Sequence, residues 1–374
     1  MSRLRSYLVL SDIHLGARST SAAEIVQHLT VFFNNFSDRS DLADIDVLFI
    51  AGDLWDNTVQ MSSDTLRLFI PFFTLLLNWC LRNKIKLRIL EGTPLHDRGQ
   101  SGTLVSLHEA LSPEVDFKYI STLSIEKMKD LDLNILYVPD ECRSSAELVV
   151  SDSQQILANE GLAKVDIAIM HGMFKYQLGS IPMSHKVYDE GWFLEHVRYY
   201  INIGHIHKPS QYGRILAQGS FDRLKHGEEE AKGAFLIREV SDGEWIHLFI
   251  ENREAKCYRD ISIRGTAEDA LNKIDRCVDS LPPGSYIRIL GESTHPIFRG
   301  FETLKLRHPN YFFSKKTKGK EEVVISTDQA VYKAIALNRD TITQALFKEV
   351  CEINDLSKEQ RDKLHVLIDS VHEV

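Results

Sequence analysis

Aspartate and histidine side chains follow five separate apolar runs of this sequence, at the points where predicted strands end. Carboxylates and neutral imidazoles are ligands that manganese, iron and zinc bind in proteins. Each residue alone also suits a turn, a helix cap or a surface pair, but five such strand ends in succession favour one shared metal site. The side chains concerned are Asp12 and His14, Asp53, His96 and Asp97, His171, and His205 and His207.

The last of these strand ends carries two histidines separated by one isoleucine. Residues 199–207 are predicted to form a strand, and Lys208-Pro209 closes it. Alternate side chains of an extended backbone share a face, so His205 and His207 are expected to point the same way. α/β proteins bind ligands beyond the carboxyl ends of their strands, which is where this pair lies.

Asp53 emerges after the apolar run 46–51 and Gly52. A carboxylate has two oxygens, so one aspartate can bridge two ions. The alternative for Asp53 is a helix cap or a turn acid. His96 and Asp97 are candidates for acid–base chemistry, although a histidine beside a carboxylate is also a common surface pair.

Apolar runs alternate with segments of helical periodicity up to about residue 252, which predicts an α/β layered domain. Helices are predicted at 21–34, 64–83 and 145–158. Strands are predicted at 7–10, 46–51, 85–90, 117–120, 133–138, 165–170, 199–207, 215–217, 234–239 and 244–250.

Composition limits the class of protein. The chain has 374 residues, 43% of them apolar, and a net charge of −9, so it can bury a large core but is not a basic nucleic-acid binder overall. Its five cysteines are scattered and include no CxxC, which argues for a reducing compartment and against a disulfide framework.

No membrane segment is predicted. The longest apolar run, 68–81, contains Pro71 and Asn78 and falls short of the roughly 20 residues that span a bilayer. We expect it to be a helix buried against a sheet. The amino-terminal segment is too short and polar for a signal peptide, and a cytoplasmic protein is expected.

The ordered motifs D-x-H, G-D-x-x-D, H-D, H-G and G-H-x-H resemble the calcineurin-like metallophosphoesterase superfamily over residues 1–207. The segments GHIHKP and AQGSFDRLKHGEEEAKGAFLI are similar to the SbcD-type nuclease subunit of DNA-repair complexes over 204–237. Beyond residue 257 the resemblance is one of architecture. It implies a metallophosphoesterase fold, in which a layered β-sandwich is flanked by helices, with a small α+β capping domain and a helical tail.

The resemblance also implies two divalent metal ions, with Mn²⁺ the expected ion because the ligands mix hard oxygens with imidazoles. It assigns the first ion to Asp12, His14 and His207, the bridging position to Asp53, and the second ion to His171 and His205. It makes His96 the group that protonates or stabilises the leaving oxygen, with Asp56 orienting it, and leaves Asp97 to support the loop.

One position departs from the family pattern. Members usually carry asparagine immediately before the histidine that corresponds to His96, and this chain has Leu95 there. Leucine cannot ligate a metal, so Thr93 or a water molecule is expected to fill the place. The corresponding hypothesis is that the second ion binds more weakly than the first.

The carboxyl-terminal third divides into two predicted parts. Residues 257–320 are predicted to form a small α+β module whose Arg307, Lys315, Lys316 and Lys318, beside aromatic residues, contact DNA; the alternative is a solvated loop with an edge strand. Residues 325–374 are predicted to be amphipathic helices. The resemblance implies that they dock on a SbcC-type SMC-like ATPase, the alternative being packing on their own domain.

The domains predicted are therefore a nuclease domain over 1–252, a DNA-binding or capping domain over 257–320 and a helical tail over 325–374. The predicted function is that of a metal-dependent DNA exonuclease or endonuclease, working with a separate ATPase because no Gly-rich P-loop occurs. A homodimer is implied by the resemblance. The alternatives are a phosphatase or phosphodiesterase for other substrates, and a catalytically inert scaffold of the same fold.

Overall fold

Two six-stranded sheets form the centre of the molecule in this computed structural model, which describes residues 5–17, 20–37, 45–60, 63–140, 143–179 and 186–318. The first sheet has the order β14 (Glu244–Glu251), β13 (Gly233–Ser241), β1 (Ser6–Leu10), β2 (Val47–Ala51), β3 (Lys86–Leu90) and β4 (Phe117–Ile120). The second has the order β11 (Ser210–Tyr212), β12 (Ile215–Ala217), β10 (Ile201–Gly204), β7 (Ile167–His171), β6 (Leu133–Val138) and β5 (Ser124–Met128).

The central strands of each sheet are parallel. β1 to β4 pair in parallel in the first sheet, and β12, β10, β7 and β6 do so in the second. The outer strands β13, β14, β5 and β11 are antiparallel to their neighbours. The carboxyl ends of the parallel strands in each sheet therefore meet along one edge.

Alternating side chains divide the core into layers. On β1, Tyr7 and Val9 pack between the two sheets, whereas Leu8 and Leu10 pack on α1 (Ala22–Ser37) and α2 (Asp64–Asn83). The outer face of the second sheet packs against α4 (Ala146–Asn159) and α5 (Glu190–His196). The result is a helix–sheet–sheet–helix sandwich, which confirms the predicted α/β layered class.

Helix α2 is the buried helix predicted from the apolar run. It begins after Ser63, whose side chain accepts a hydrogen bond from the backbone N–H of Leu66, and ends at Lys84 in the left-handed conformation. Its length and composition would suffice to cross a membrane. Instead, Phe69, Phe73 and other side chains along one face lie in the core beneath the first sheet.

The smaller elements complete this part of the chain. α3 (Thr103–Leu111) connects β3 to β4, and a two-stranded sheet joins β8 (Met173–Phe174) to β9 (Val187–Tyr188). The strand predicted over 199–207 is too long, because β10 ends at Gly204. His205 and His207 therefore lie in the loop beyond the strand, and their common direction does not come from strand alternation.

A third sheet follows, with the order β15 (Tyr258–Ser262), β16 (Tyr286–Glu292) and β17 (Phe312–Lys318). Helices α6 (Ala267–Val278), α7 (Pro296–Arg299) and α8 (Phe301–Arg307) pack against one face of it around Ile274, Ile289 and Phe313. The expected α+β elements are therefore present, whereas the domain boundaries at 252 and 257 stay predictions. The tail predicted over 325–374 lies outside the described residues.

Candidate metal centre

Seven side chains predicted from the strand ends converge at the carboxyl edges of the two sheets. Their nitrogen and oxygen atoms form three overlapping groups in which the ligand atoms lie within 4.8 Å of one another. The groups are Asp12, His14 and His207; Asp53, His171 and His205; and His14, Asp53 and His96. The structure thus brings together all six predicted metal ligands and places His96 beside them, while their roles as ligands stay predictions.

We call Asp12, His14 and His207 the His207 half of the centre. Nε2 of His207 lies 3.0 Å from Nε2 of His14 and 4.0 Å from Oδ1 of Asp12. Asp12 and His14 are buried, and His207 is part-exposed. Three donor atoms therefore face one point that is open on the His207 side.

We call Asp53, His171 and His205 the His171 half. Nε2 of His171 lies 3.3 Å from Oδ1 of Asp53, while Oδ2 of the same carboxylate lies 3.7 Å from Nε2 of His14 in the other half. The two oxygens of Asp53 thus face different halves, as a bridging ligand requires.

Charge in the His171 half follows from this proximity. Burial raises the pKa of Asp53, but the imidazoles of His171 and His14 outweigh that effect and hold the pKa below its usual value. Burial lowers the pKa of His171, yet the Asp53 carboxylate raises it well above normal. The Asp53 carboxylate and the His171 imidazole are therefore electrostatically coupled, and the half favours the ionised form of Asp53.

The rings are oriented as metal-ligating histidines usually are, with one nitrogen held by a second group. Nδ1 of His171 donates to the backbone carbonyl of Ala51 at 2.7 Å, and Nδ1 of His207 lies 3.0 Å from Oε1 of Glu228. Nε2 of each ring is then left facing the centre. Imidazole and carboxylate donors in this arrangement fit Mn²⁺, iron or zinc.

Unusual backbone conformations aim these side chains. Asp12, His14 and Asp53 each have φ of 51°, and His205 has φ of 104°, a region that residues other than glycine rarely enter. The backbone N–H of His205 donates to both oxygens of Asp12 at 3.0 Å. Hydrogen bonds between the loops, such as those from the N–H groups of Asp12 and His14 to the carbonyls of Gly52 and Asp53, hold these conformations.

Glycines let the two sheets approach closely here. A β-carbon on Gly52, whose φ is +85°, would lie 2.2 Å from Nδ1 of His171, and one on Gly204 would lie 2.4 Å from the carbonyl oxygen of Ala51. Any side chain at Gly52 would therefore displace His171. The glycines that precede Asp53 and His205 serve this contact between sheets.

Thr93, one of the two groups expected in place of the family's asparagine, lies in the His171 half. The hydroxyl of Thr93 lies 3.2 Å from Oδ2 of Asp53, 3.4 Å from Nε2 of His171 and 3.3 Å from Nδ1 of His205. Leu95 is 72% exposed. The residue immediately before His96 is thus directed into solvent, because the loop turns over residues 94–99, and the hydroxyl three residues before His96 enters the His171 half.

His96 lies over the His207 half, its ring centroid 4.7 Å from that of His14. The predicted partner Asp56 holds His96 through its backbone, since Nδ1 of His96 donates to the Asp56 carbonyl at 2.8 Å while the nearest carboxylate oxygen is 3.9 Å away. That oxygen lies closer to Nδ1 of His14, at 3.3 Å. Asp56 therefore contacts both a candidate ligand and the candidate acid.

Asp97 holds the loop, as predicted. It is buried and accepts the backbone N–H groups of Asp53, Trp55 and Gly92 at 2.7 to 3.1 Å. Burial, with the nearby Asp53 carboxylate, raises the pKa of Asp97 to about 7. Its oxygens point at backbone donors, so its contribution is to fix the position of Asp53.

Glu228 and Lys232 belong to the same centre, although neither follows a predicted strand end. Burial raises the pKa of Glu228, but the hydrogen bond from His207 and the charge of Lys232 lower it to about 2. Both lie after β12, in the segment that resembles the SbcD-type subunit. The EEE run at 228–230 is typical of an exposed charged loop, and only the fold shows that its first member points inward.

The predicted DNA contacts are divided between two faces of the third sheet. Arg307 is paired with Asp275, with Nη2 2.5 Å from Oδ2, and Lys315 lies 5.3 Å over the ring of Phe301, both on the helix side. Lys316 is exposed. The side chain of Lys318 lies outside the described residues.

Comparison with known proteins gives little. No family model matches the sequence, and no curated protein matches it. A solved structure of TT1561 of Thermus thermophilus is similar over 66% of this chain and 99% of its own, with 11% identity and a TM-score of 0.37. A second crystal structure covers the same shares with 10% identity and a TM-score of 0.40.

Proposed function

We propose that this protein is a metal-dependent phosphodiester hydrolase of the metallophosphoesterase type, and that its substrate is DNA. The observation that carries the proposal is the pair of donor groups that share Asp53, with His96 at their open side. Divalent ions bound at such a pair supply charge stabilisation to a phosphoryl group and activate water for in-line attack.

The chain's own residues complete the chemistry. Nδ1 of His96 is occupied by the Asp56 carbonyl, so Nε2 is the atom that exchanges a proton with the leaving oxygen. His96 is part-exposed, which lets a large substrate reach it. The closed side of the centre is formed by the buried His171 and Asp53, so the scissile phosphate approaches from the His96 and His207 side.

The third sheet supports DNA as the substrate class. Phe312, which is 57% exposed, stacks on Tyr286 with ring centroids 4.7 Å apart, and Tyr286 stacks on Tyr258 at 5.1 Å. An exposed ring at the end of such a stack, with Lys316 on the same strand, suits an unpaired base and its phosphate. A small phosphate ester would make no use of this surface.

The wider assignment is proposed from the family resemblance. It comprises Mn²⁺ as the preferred ion, a SbcC-type ATPase that binds the segment 325–374, a homodimer and a cytoplasmic location. A protein of this kind would process DNA ends in repair, recombination or replication.

The test is to supply linear duplex DNA, single-stranded DNA and a chromogenic phosphodiester to the purified protein with Mn²⁺ or Mg²⁺. We expect DNA products that require the metal, with more product in Mn²⁺. Hydrolysis of the chromogenic ester without DNA products would contradict the nuclease assignment, and bound metal without turnover of any substrate would indicate an inert scaffold.

His96→Ala should lower cleavage by about 10²–10⁴-fold, the range typical of general acid–base catalysis, with metal content unchanged by elemental analysis. The matched control is His108→Ala, because His108 is another part-exposed histidine, on α3, whose Nε2 donates to the carbonyl of Val115. Full activity of His96→Ala would contradict its assigned role.

A further inference from the structure

Glu228 and Lys232 hold His207 from two sides. Oε1 of Glu228 lies 3.0 Å from Nδ1 of the His207 ring, and Nζ of Lys232 donates to the His207 backbone carbonyl at 2.7 Å. The ring and the main chain of one candidate ligand are thus fixed by two residues four positions apart on a different segment.

The pair is buried and internally satisfied. Lys232 is 0% exposed, and its ammonium donates to Ser220 Oγ at 2.9 Å and lies 3.3 Å from Oε2 of Glu228, besides the His207 carbonyl. Each of the three N–H donors of the Lys232 ammonium therefore has an acceptor. Oε2 of Glu228 also accepts the backbone N–H of Leu224 at 3.0 Å, so the carboxylate has one fixed position.

A buried ion pair of this kind is a poor source of stability, because desolvation offsets most of its attraction. Its position suggests another purpose. A carboxylate at one imidazole nitrogen fixes the tautomer, turns the ring and makes the other nitrogen a stronger donor, and removing such a group typically lowers metal affinity by about 10–100-fold.

We propose that Glu228, held in place by Lys232, is a positioning residue that orients His207 and sets the affinity of the His207 half for its metal ion. The inference rests on the proposed function, since it assumes that His207 binds a metal. It assigns to Glu228 an effect on one half only, because the described contacts of Glu228 do not include Asp53, His171 or His205.

The experiment is calorimetric titration of metal-free protein with Mn²⁺. Wild type should bind two ions, and Glu228→Gln should bind one of them about 10–100-fold more weakly and the other unchanged. His207→Ala identifies which ion is affected, because its remaining site should match the unchanged one. Glu229→Gln is the matched control, since the neighbouring Glu229 pairs with Arg259 on the surface.

Glu228→Gln leaves the buried Lys232 without its counter-charge, which could itself unfold the protein. A second variant therefore separates a loss of stability from a loss of metal affinity. Glu228→Gln combined with Lys232→Met removes both charges, and we expect it to recover thermal stability without recovering metal affinity. Recovery of affinity together with stability would show a merely structural role and overturn the inference.

The two proposals fail in different ways. Two unchanged sites in folded Glu228→Gln, or an equal weakening of both sites, would overturn the role of Glu228 while leaving the metal centre standing. Wild type that binds no Mn²⁺ and hydrolyses no phosphodiester would instead overturn the proposed function.

Discussion

The two halves of the centre orient a histidine, the candidate ligand in each, by different means. In the His207 half, a glutamate side chain contacts the outer nitrogen of the imidazole; in the His171 half, the backbone carbonyl of Ala51 does so. A backbone carbonyl at the end of β2 is fixed by the sheet, whereas a carboxylate adds charge and can be changed by mutation. The ring orientation of His171 is therefore fixed by the backbone of a strand, and that of His207 by a side chain from a later loop.

The halves also differ in access. His171 and Asp53 are buried between the sheets, and His207 and His96 face the open side. The buried half is completed by the hydroxyl of Thr93. A molecule that enters the centre from solvent would therefore reach the His207 half first.

The largest effect is expected from Asp53→Asn, because the two carboxylate oxygens of Asp53 face a histidine of each half, His14 and His171. Loss of the shared negative charge should empty both sites and lower phosphodiester hydrolysis by at least about 10³-fold, since metal ions supply several kcal/mol of charge stabilisation. Elemental analysis measures the metal content, and turnover of the chromogenic phosphodiester measures hydrolysis. Retention of one ion at wild-type affinity would show that the halves are independent.

The control for this substitution is Asp189→Asn. Asp189 caps the amino end of α5, where its side chain accepts the backbone N–H of Gly191, and asparagine caps helices about equally well. Metal content and turnover should be those of wild type.

A smaller effect, confined to the His171 half, is expected from Thr93→Val. The substitution keeps the shape of the side chain but removes the hydroxyl that lies 3.2–3.4 Å from Asp53, His171 and His205. The affinity of that half for Mn²⁺ should fall about 10-fold, the lower end of the range for groups that support metal ligands. Calorimetry should show the other site unchanged.

Leu95→Ala is the matched control for Thr93→Val, since Leu95 lies two residues away and is 72% exposed. We expect it to leave both affinities as they are. A weaker site in Leu95→Ala would show that the loop supports the His171 half through more than the Thr93 hydroxyl, and would contradict the outward direction of Leu95.

The smallest effect concerns stability alone. Glu239 accepts hydrogen bonds from Arg5 at the amino end of β1, the end opposite Asp12, and these hydrogen bonds lower the pKa of Glu239 to about 2. Because the folded-state pKa is depressed, the carboxylate stabilises the protein above its ordinary pKa of 4.5, and this is lost as the pH falls towards 2.

Glu239→Gln should therefore lower the free energy of unfolding by about 1–3 kcal/mol at neutral pH, and the difference from wild type should shrink between pH 4.5 and pH 2. Chemical denaturation at several pH values measures it. Metal occupancy should not change, and a change would show that the two ends of β1 are coupled.

The sequence predicted what depends on local pattern. Buried parallel strands are continuous apolar runs, so β1, β2, β3 and β7 are predictable, and Asp12, Asp53 and His171 lie at strand ends as expected, while their roles as ligands stay predictions. The path of the chain beyond the end of a strand could not be predicted in the same way. His205 and His207 were expected on an extended strand, yet Gly204 ends it and φ at His205 is 104°.

Contacts made by distant segments were also beyond the sequence. The sequence leaves either Thr93 or a water molecule to fill the place of the asparagine, because spacing cannot show which way a loop turns, and the structure directs Thr93 inward. Glu228 and Lys232 are polar residues in a charged run, which normally indicates a solvated surface. Their contacts with His207, more than 20 residues earlier in the chain, are long-range contacts that no local pattern encodes.

The left-handed backbone at Asp12, His14, Asp53 and His205 has a thermodynamic consequence. Each such conformation costs on the order of 1–3 kcal/mol, so the metal-free protein is folded against its own local preferences. An ion that binds only the folded chain returns about 2.7 kcal/mol when present at 100 times its dissociation constant. The metal ions proposed for this centre would therefore stabilise the folded chain, so the free energy of unfolding should rise with metal concentration.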